Sequence, residues 1–253
     1  MVIKVPEKIM EVITADSVEQ EAINLASFFH YGKLGIILTL EEVRKDAELI
    51  RKKGYIFRAF DTEMTYAPLA IDLLGDRMNI HVPISYPMGN ITTWKKLLDL
   101  EYIASLGVDE NCVCLNYFDI LSHNYNKVEQ EVKKINQKFG DVFKCMAFVI
   151  PAGLLNDSEI VKVCKAIENG GGKTIKVNPG FQLGVTPEEI LLIQRNFGDK
   201  FDNIHPSGNI RTLEQVAEYL KLGVTTIHSS ASLDIIDEFI SIRKSELQAG
   251  GSR

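Results

Sequence analysis

The sequence lacks several features that would settle its class at once. No apolar run approaches the roughly 18 residues that a membrane span requires. The start, Met1 to Lys8, has no basic stretch followed by an apolar one, so no secretory signal is expected. Cysteine is scarce: Cys112, Cys114, Cys145 and Cys164 are the four in 253 residues, and no two form a C-x-x-C pair. That disfavours a disulfide scaffold and a structural zinc site, and makes a reduced, cytoplasmic setting the expectation. Basic residues are outnumbered, 28 Lys and Arg against 34 Asp and Glu, for a formal charge of −6. Neither nucleic acid nor a membrane is therefore expected as a partner. No strand-like run is followed by G-x-G-x-x-G, which argues against a dinucleotide fold.

What is present is an alternation of two periodicities. Short apolar runs recur at Tyr55–Phe60, Asn79–Ile84, Cys112–Leu115, Cys145–Ile150, Thr174–Val177, Phe201–Ile204 and Val224–His228, and Leu34–Leu38 is read as the first of the set. Between them lie helical stripes, such as Val128, Val132, Ile135 and Phe139 at spacings of four, three and four. Thr39-Leu-Glu-Glu42, Thr186-Pro-Glu-Glu189 and Thr212-Leu-Glu-Gln215 fit the capping box, where hydroxyl and acid satisfy each other's orphan N–H groups. Repeats of one strand and one helix, about 25 to 35 residues each, predict a (β/α)8 TIM barrel, which needs about 250 residues. Residues 34–245 are the expected barrel. Residues 1–33 are an N-terminal extension, helical around Val18 to Phe29, and 246–253 a flexible tail.

In such a barrel the site lies at the C-terminal ends of the strands. Polar residues there are Asp61, Glu63, Ser85, Asn116, Lys176, Asn178, His205, His228, Ser229 and Ser230. Lys176 stands out, because it sits inside an apolar run and lysines are seldom fully buried. Loss of solvent favours the neutral amine, the form that attacks a carbonyl to give a Schiff base. The plainer reading has its stem covering apolar surface and its head in water. His205 is placed to act as general acid or base, or is a structural histidine before a turn. Ser207-Gly208-Asn209 and Ser229-Ser230-Ala231 precede helices whose N–H groups could cradle a phosphate, although helix caps use the same residues.

These pieces together resemble the deoxyribose-phosphate aldolase family of class I aldolases, from about Thr39 to Ile236. Ser85-Tyr-Pro-Met-Gly-Asn90 resembles its F-P-x-G-N turn and Ala104-Ser-Leu-Gly-Val-Asp-Glu110 its A-x-x-G-A-D-E lead. Ile175-Lys-Val-Asn-Pro-Gly-Phe181 resembles I-K-T-S-T-G-F, and His205-Pro-Ser-Gly-Asn-Ile-Arg-Thr212 resembles K-P-A-G-G-V-R-T. The resemblance implies that Lys176 is the Schiff-base lysine, that Gly208 and Asn209 match the phosphate-binding Gly-Gly pair, and that Ser230 and Ala231 match further phosphate contacts. It implies no cofactor or metal. A homo-oligomer and a small carbonyl or sugar-phosphate partner are expected. The default reaction is cleavage of 2-deoxyribose 5-phosphate to acetaldehyde and glyceraldehyde 3-phosphate. The departures are as specific. The family's second active-site lysine falls on His205 and its proton-relay aspartate on Cys112. A thiol is a poorer relay at neutral pH. Other readings therefore stay open: an imine-forming or acyl-transfer enzyme on another carbonyl substrate with a rewritten acid–base set, or a non-catalytic sugar-phosphate binder.

Overall fold

The computed structural model describes residues 4–32, 34 and 38–250. Eight parallel strands run β1 Phe29–Tyr31, β2 Ala59–Asp61, β3 Asn79–Ile84, β4 Glu110–Cys114, β5 Cys145–Ile150, β6 Thr174–Val177, β7 Asn203–Pro206 and β8 Ile227–His228. Neighbours in the sheet follow chain order, and β8 pairs back on β1. A single parallel bridge, Ser207 to His228, joins β7 to β8 and completes the ring. Each crossover carries a helix, so the fold is a TIM barrel.

The strands alternate rather than reading as uniformly apolar. On β3, Ile80, Val82 and Ile84 enter the main hydrophobic cluster, as do Phe148 and Ile150 of β5 and Ile175 and Val177 of β6. These pack outward against the helices. The residues between them point into the barrel, as the period of two demands. The inward set includes His30, Asp61, His81, Glu110, Cys112, Lys176, His205 and His228, all buried. The interior is therefore polar over most of its circumference. Its apolar arc is small: Cys112, Cys114, Ala147 and Val149, capped by Tyr86.

The helices begin where their caps predict. Thr39, Thr186 and Thr212 each form a full capping box, opening the helices Leu40–Lys53, Pro187–Phe197 and Leu213–Lys221. A fourth box, at Asn156, opens Asp157–Asn169. Two elements differ from expectation and a third falls outside the described residues. The first strand is Phe29–Tyr31, inside the stretch read as an extension. The run Leu34–Leu38 lies largely outside the described residues. The last helix runs Ser232–Gly250, through most of the stretch read as a tail. Ahead of β1, helices Glu7–Ile13 and Val18–Ala26 bury Ile9, Ile13, Ala22 and Leu25 against the final helices of the barrel.

Candidate active site

Register fixes which inward residues meet. Lys176 lies opposite Val149 on one side and His205 on the other. Asp61 lies opposite His81, and His30 opposite Ala59, two residues before Asp61 on the same face. Three adjacent strands thus converge His30, Asp61 and His81, and β6, β7 and β8 bring Lys176, His205 and His228, with His228 the register partner of His30.

The two groups touch through His228. Its Nδ1 is 3.1 Å from Lys176 Nζ and 3.2 Å from Asp61 Oδ2, and its Nε2 is 3.3 Å from His205 Nδ1. Asp61 Oδ1 is also 3.1 Å from His30 Nδ1 and 3.0 Å from His81 Nδ1. Burial raises the Asp61 carboxyl, but His81 and His228 outweigh it and hold the group well below its ordinary value. Burial lowers His81, yet Asp61 and Cys112 push it up to about 10. His205 goes the other way. Burial, then the charges of His30 and Lys176, push it well below its ordinary value, so it is a neutral imidazole at neutral pH. It does not stand in as a cation for a second lysine. Burial raises the Cys112 thiol, while Lys176 and His81 outweigh burial and bring it below its ordinary range.

A cavity of about 290 Å³ opens above this cluster. Its lining includes His30, Asp61, Lys176 and His228 below, and Gly208, Asn209, Arg211, Ser229 and Ser230 at the rim. Gly208 has φ +94°, and a Cβ there would lie 2.1 Å from the Leu183 carbonyl oxygen, so only glycine fits. Asn209 keeps the left-handed backbone at φ +59°, which asparagine tolerates. Its side chain packs on Gly184, where a Cβ would come within 2.9 Å of Asn209 Nδ2. The asparagine therefore fits because position 184 is bare. Ser229 Oγ is already engaged, donating to Ile210 O at 2.7 Å and accepting from Ala231 N at 3.0 Å.

Not every candidate reaches the cavity. Asn178 accepts from Gly153 N at 2.9 Å and donates to Gly184 O and Glu189 Oε2, so it braces the loops. Glu63 and Ala231 are outside the lining, and Asn116 caps the helix Tyr117–Leu121. His205 and Cys112 sit in the barrel wall outside the cavity lining. Sequence reasoning missed His30, His81 and Glu110, which the register brings to the same centre. Their polar character at inward positions of strands was the available signal. His30, Asp61 and His81 also place three donor atoms within 4.8 Å of one another, a grouping able to hold a metal ion.

Fold and site together define a parallel (β/α)8 barrel with a buried lysine facing a polar cavity at the C-terminal ends of its strands. No family model matches the sequence. A deoxyribose-phosphate aldolase of Caldanaerobacter subterraneus is 26% identical over 226 residues, spanning 87% of this chain and 96% of that protein. Deoxyribose-phosphate aldolase 1 of Vibrio vulnificus is 28% identical over 174 residues, covering 67% of this chain and 78% of that one. Among solved structures, the tetrameric deoxyribose phosphate aldolase of Aeropyrum pernix shares the fold with a TM-score of 0.79 at 19% identity, over 93% of this chain and 97% of its own. The chain is a divergent relative of the deoxyribose-phosphate aldolases.

Proposed function

We propose that the protein is a Schiff-base aldolase acting on a small sugar phosphate, with 2-deoxyribose 5-phosphate as the first substrate to test. The observation that carries this reading is Lys176: a buried primary amine at a cavity floor, with a histidine nitrogen at 3.1 Å and, among the described residues, no carboxylate in ion-pair reach. An unpaired buried amine is costly unless it has a chemical use. The relatives' names support the reaction class.

In this scheme Lys176 Nζ adds to the substrate aldehyde and the carbinolamine loses water to give an imine. Removal of the proton from the hydroxyl on the third carbon breaks the bond between the second and third carbons. The electron pair passes into the imine nitrogen, leaving an enamine, and glyceraldehyde 3-phosphate departs. Protonation of the enamine carbon and hydrolysis release acetaldehyde and restore the amine. His228 is the group nearest Lys176 for these proton transfers, with neutral His205 behind it and the Cys112 thiol within reach of the amine's charge. The phosphate end is assigned to the rim, where Gly208 and Asn209 offer backbone N–H groups, Arg211 a charge, and Ser230 the start of the last helix. A homo-oligomeric, cytoplasmic enzyme fits this reading.

The test is reductive trapping. Incubation with acetaldehyde and borohydride, followed by peptide mass spectrometry, is expected to place an adduct on Lys176 that Lys176→Ala abolishes. Coupled detection of acetaldehyde from 2-deoxyribose 5-phosphate tests the substrate. An adduct without acetaldehyde release would retain the imine and discard this sugar. No adduct with any aldehyde would discard the enzyme.

A further inference from the structure

Four of the five histidines in the chain are buried in the barrel, and His123 alone is exposed. The imine scheme uses His228 and His205. It leaves His30 and His81 unexplained, together with the carboxylate they share. His30 Nδ1 and His81 Nδ1 lie 3.1 Å and 3.0 Å from the same oxygen, Asp61 Oδ1. A tetrahedral zinc ion with bonds of about 2.0–2.1 Å separates its donors by about 3.3 Å, and the three donor atoms here, joined by a hydrogen bond and an ion pair, lie within 4.8 Å of one another. Two further observations point the same way. His81 is 2% exposed, and its Nδ1, although 3.0 Å from the carboxylate, makes no aligned hydrogen bond. The outer side of His30 is also backed: Nε2 lies 3.3 Å from Glu110 Oε2. Metal-bound imidazoles regularly lean on such a carboxylate through their second nitrogen.

We propose that His30, Asp61 and His81 form a three-donor site for a divalent first-row transition ion, zinc or a metal of similar preference. Two imidazoles and one carboxylate favour such ions over magnesium or calcium, which prefer all-oxygen shells. Each ligand comes from a different strand, β1, β2 and β3, so the barrel wall sets their spacing without any loop. His30 and Asp61 also line the cavity, which gives a water or a substrate oxygen access to a remaining coordination position. The site does not depend on the imine reading, because none of its ligands is Lys176.

The test uses the whole chain, purified without chelator. Elemental analysis is expected to find one zinc or similar ion per chain. After stripping, cobalt(II) titration followed by visible absorption is expected to saturate at one equivalent. His81→Ala and Asp61→Ala remove the cobalt spectrum. Glu110→Gln, a milder change, weakens affinity roughly 10–100-fold while circular dichroism stays native. His123→Ala and Lys176→Ala leave the titration unchanged. A folded protein that holds no ion and gives no saturable cobalt spectrum overturns the proposal. So does binding that survives His81→Ala. Borohydride trapping on the same preparations keeps the two readings apart: an adduct without a metal sinks the metal site alone, and a metal without an adduct sinks the imine alone.

Discussion

Lys96 and Lys176 are both buried, and they teach opposite lessons. Lys96 rises from the helix Thr93–Ser105 and is 0% exposed. Its ammonium donates to Cys114 O at 2.7 Å and to Glu131 Oε1 at 2.5 Å, while Glu131 Oε2 accepts from Asn116 N at 3.1 Å. Its charge is paired and two of its three N–H donors are engaged, and the pair fastens two helices to the end of β4. Lys176, 2% exposed, has a histidine nitrogen beside it and open space above. Burial alone therefore does not make a lysine reactive. What sets Lys176 apart in the proposed scheme is the cavity above it and, among the described residues, no carboxylate in ion-pair reach.

Substitutions can break this contrast, and the largest effect belongs to Lys176. Lys176→Met is expected to lower turnover on the order of 10³-fold or more, since among the described residues no other lysine lines the cavity. Its thermal midpoint is expected to stay level or rise, because a buried amine gives way to an apolar chain. A midpoint that collapses would show that Lys176 is structural like Lys96. Next comes Lys96→Met, which strands Glu131 and should cost about 3–5 kcal/mol in urea unfolding. Adding Glu131→Leu should recover most of that loss, as removing both partners of a buried pair often does. Smaller in reach is His228→Ala, expected to reduce kcat about 10²-fold while leaving the borohydride adduct on Lys176 detectable. Loss of the adduct itself would make His228 a positioning group for the amine rather than a proton carrier. The smallest effect is on pH. His205 is held neutral by burial, so the unfolded chain binds a proton near pH 6.5 that the folded chain refuses. Stability is then lost as pH falls below about 6.5, by at most about 1.4 kcal/mol per pH unit from this residue. His205→Asn should flatten that slope in unfolding measured from pH 7 to 5.

Much of the frame was legible because its signals are local. β3, β5 and β6 match the apolar runs Asn79–Ile84, Cys145–Ile150 and Thr174–Val177, and three capping boxes mark helix starts. The first strand was not legible. Phe29–Tyr31 is three residues long and follows a helix closely, so its apolar ends read as that helix continuing. The run Tyr55–Phe60 shrinks to a strand of Ala59–Asp61, because pairing with β1 and β3 decides where it begins. The site divides in the same way. Lys176 announced itself as a charge within an apolar run. His30 and His81 each look like one polar residue among apolar neighbours, and only the register across three strands shows that both reach Asp61. Asn178 was misplaced for a related reason: its position at a strand end is visible, but the turn of its side chain toward Gly153 and Glu189 is not.

The ring of strands has an uneven circumference. Most neighbouring strands share a ladder of several residues, whereas β7 and β8 meet at the one bridge from Ser207 to His228. The stitch that shuts the barrel is thus made by the residue whose ring lies against Lys176. Breathing of the structure should begin at this seam, and amide exchange there should outpace exchange around β4 and β5. A molecule captured on Lys176 would lean on the same residue, so filling the chamber should slow that exchange and make closure of the barrel itself a reporter of occupancy.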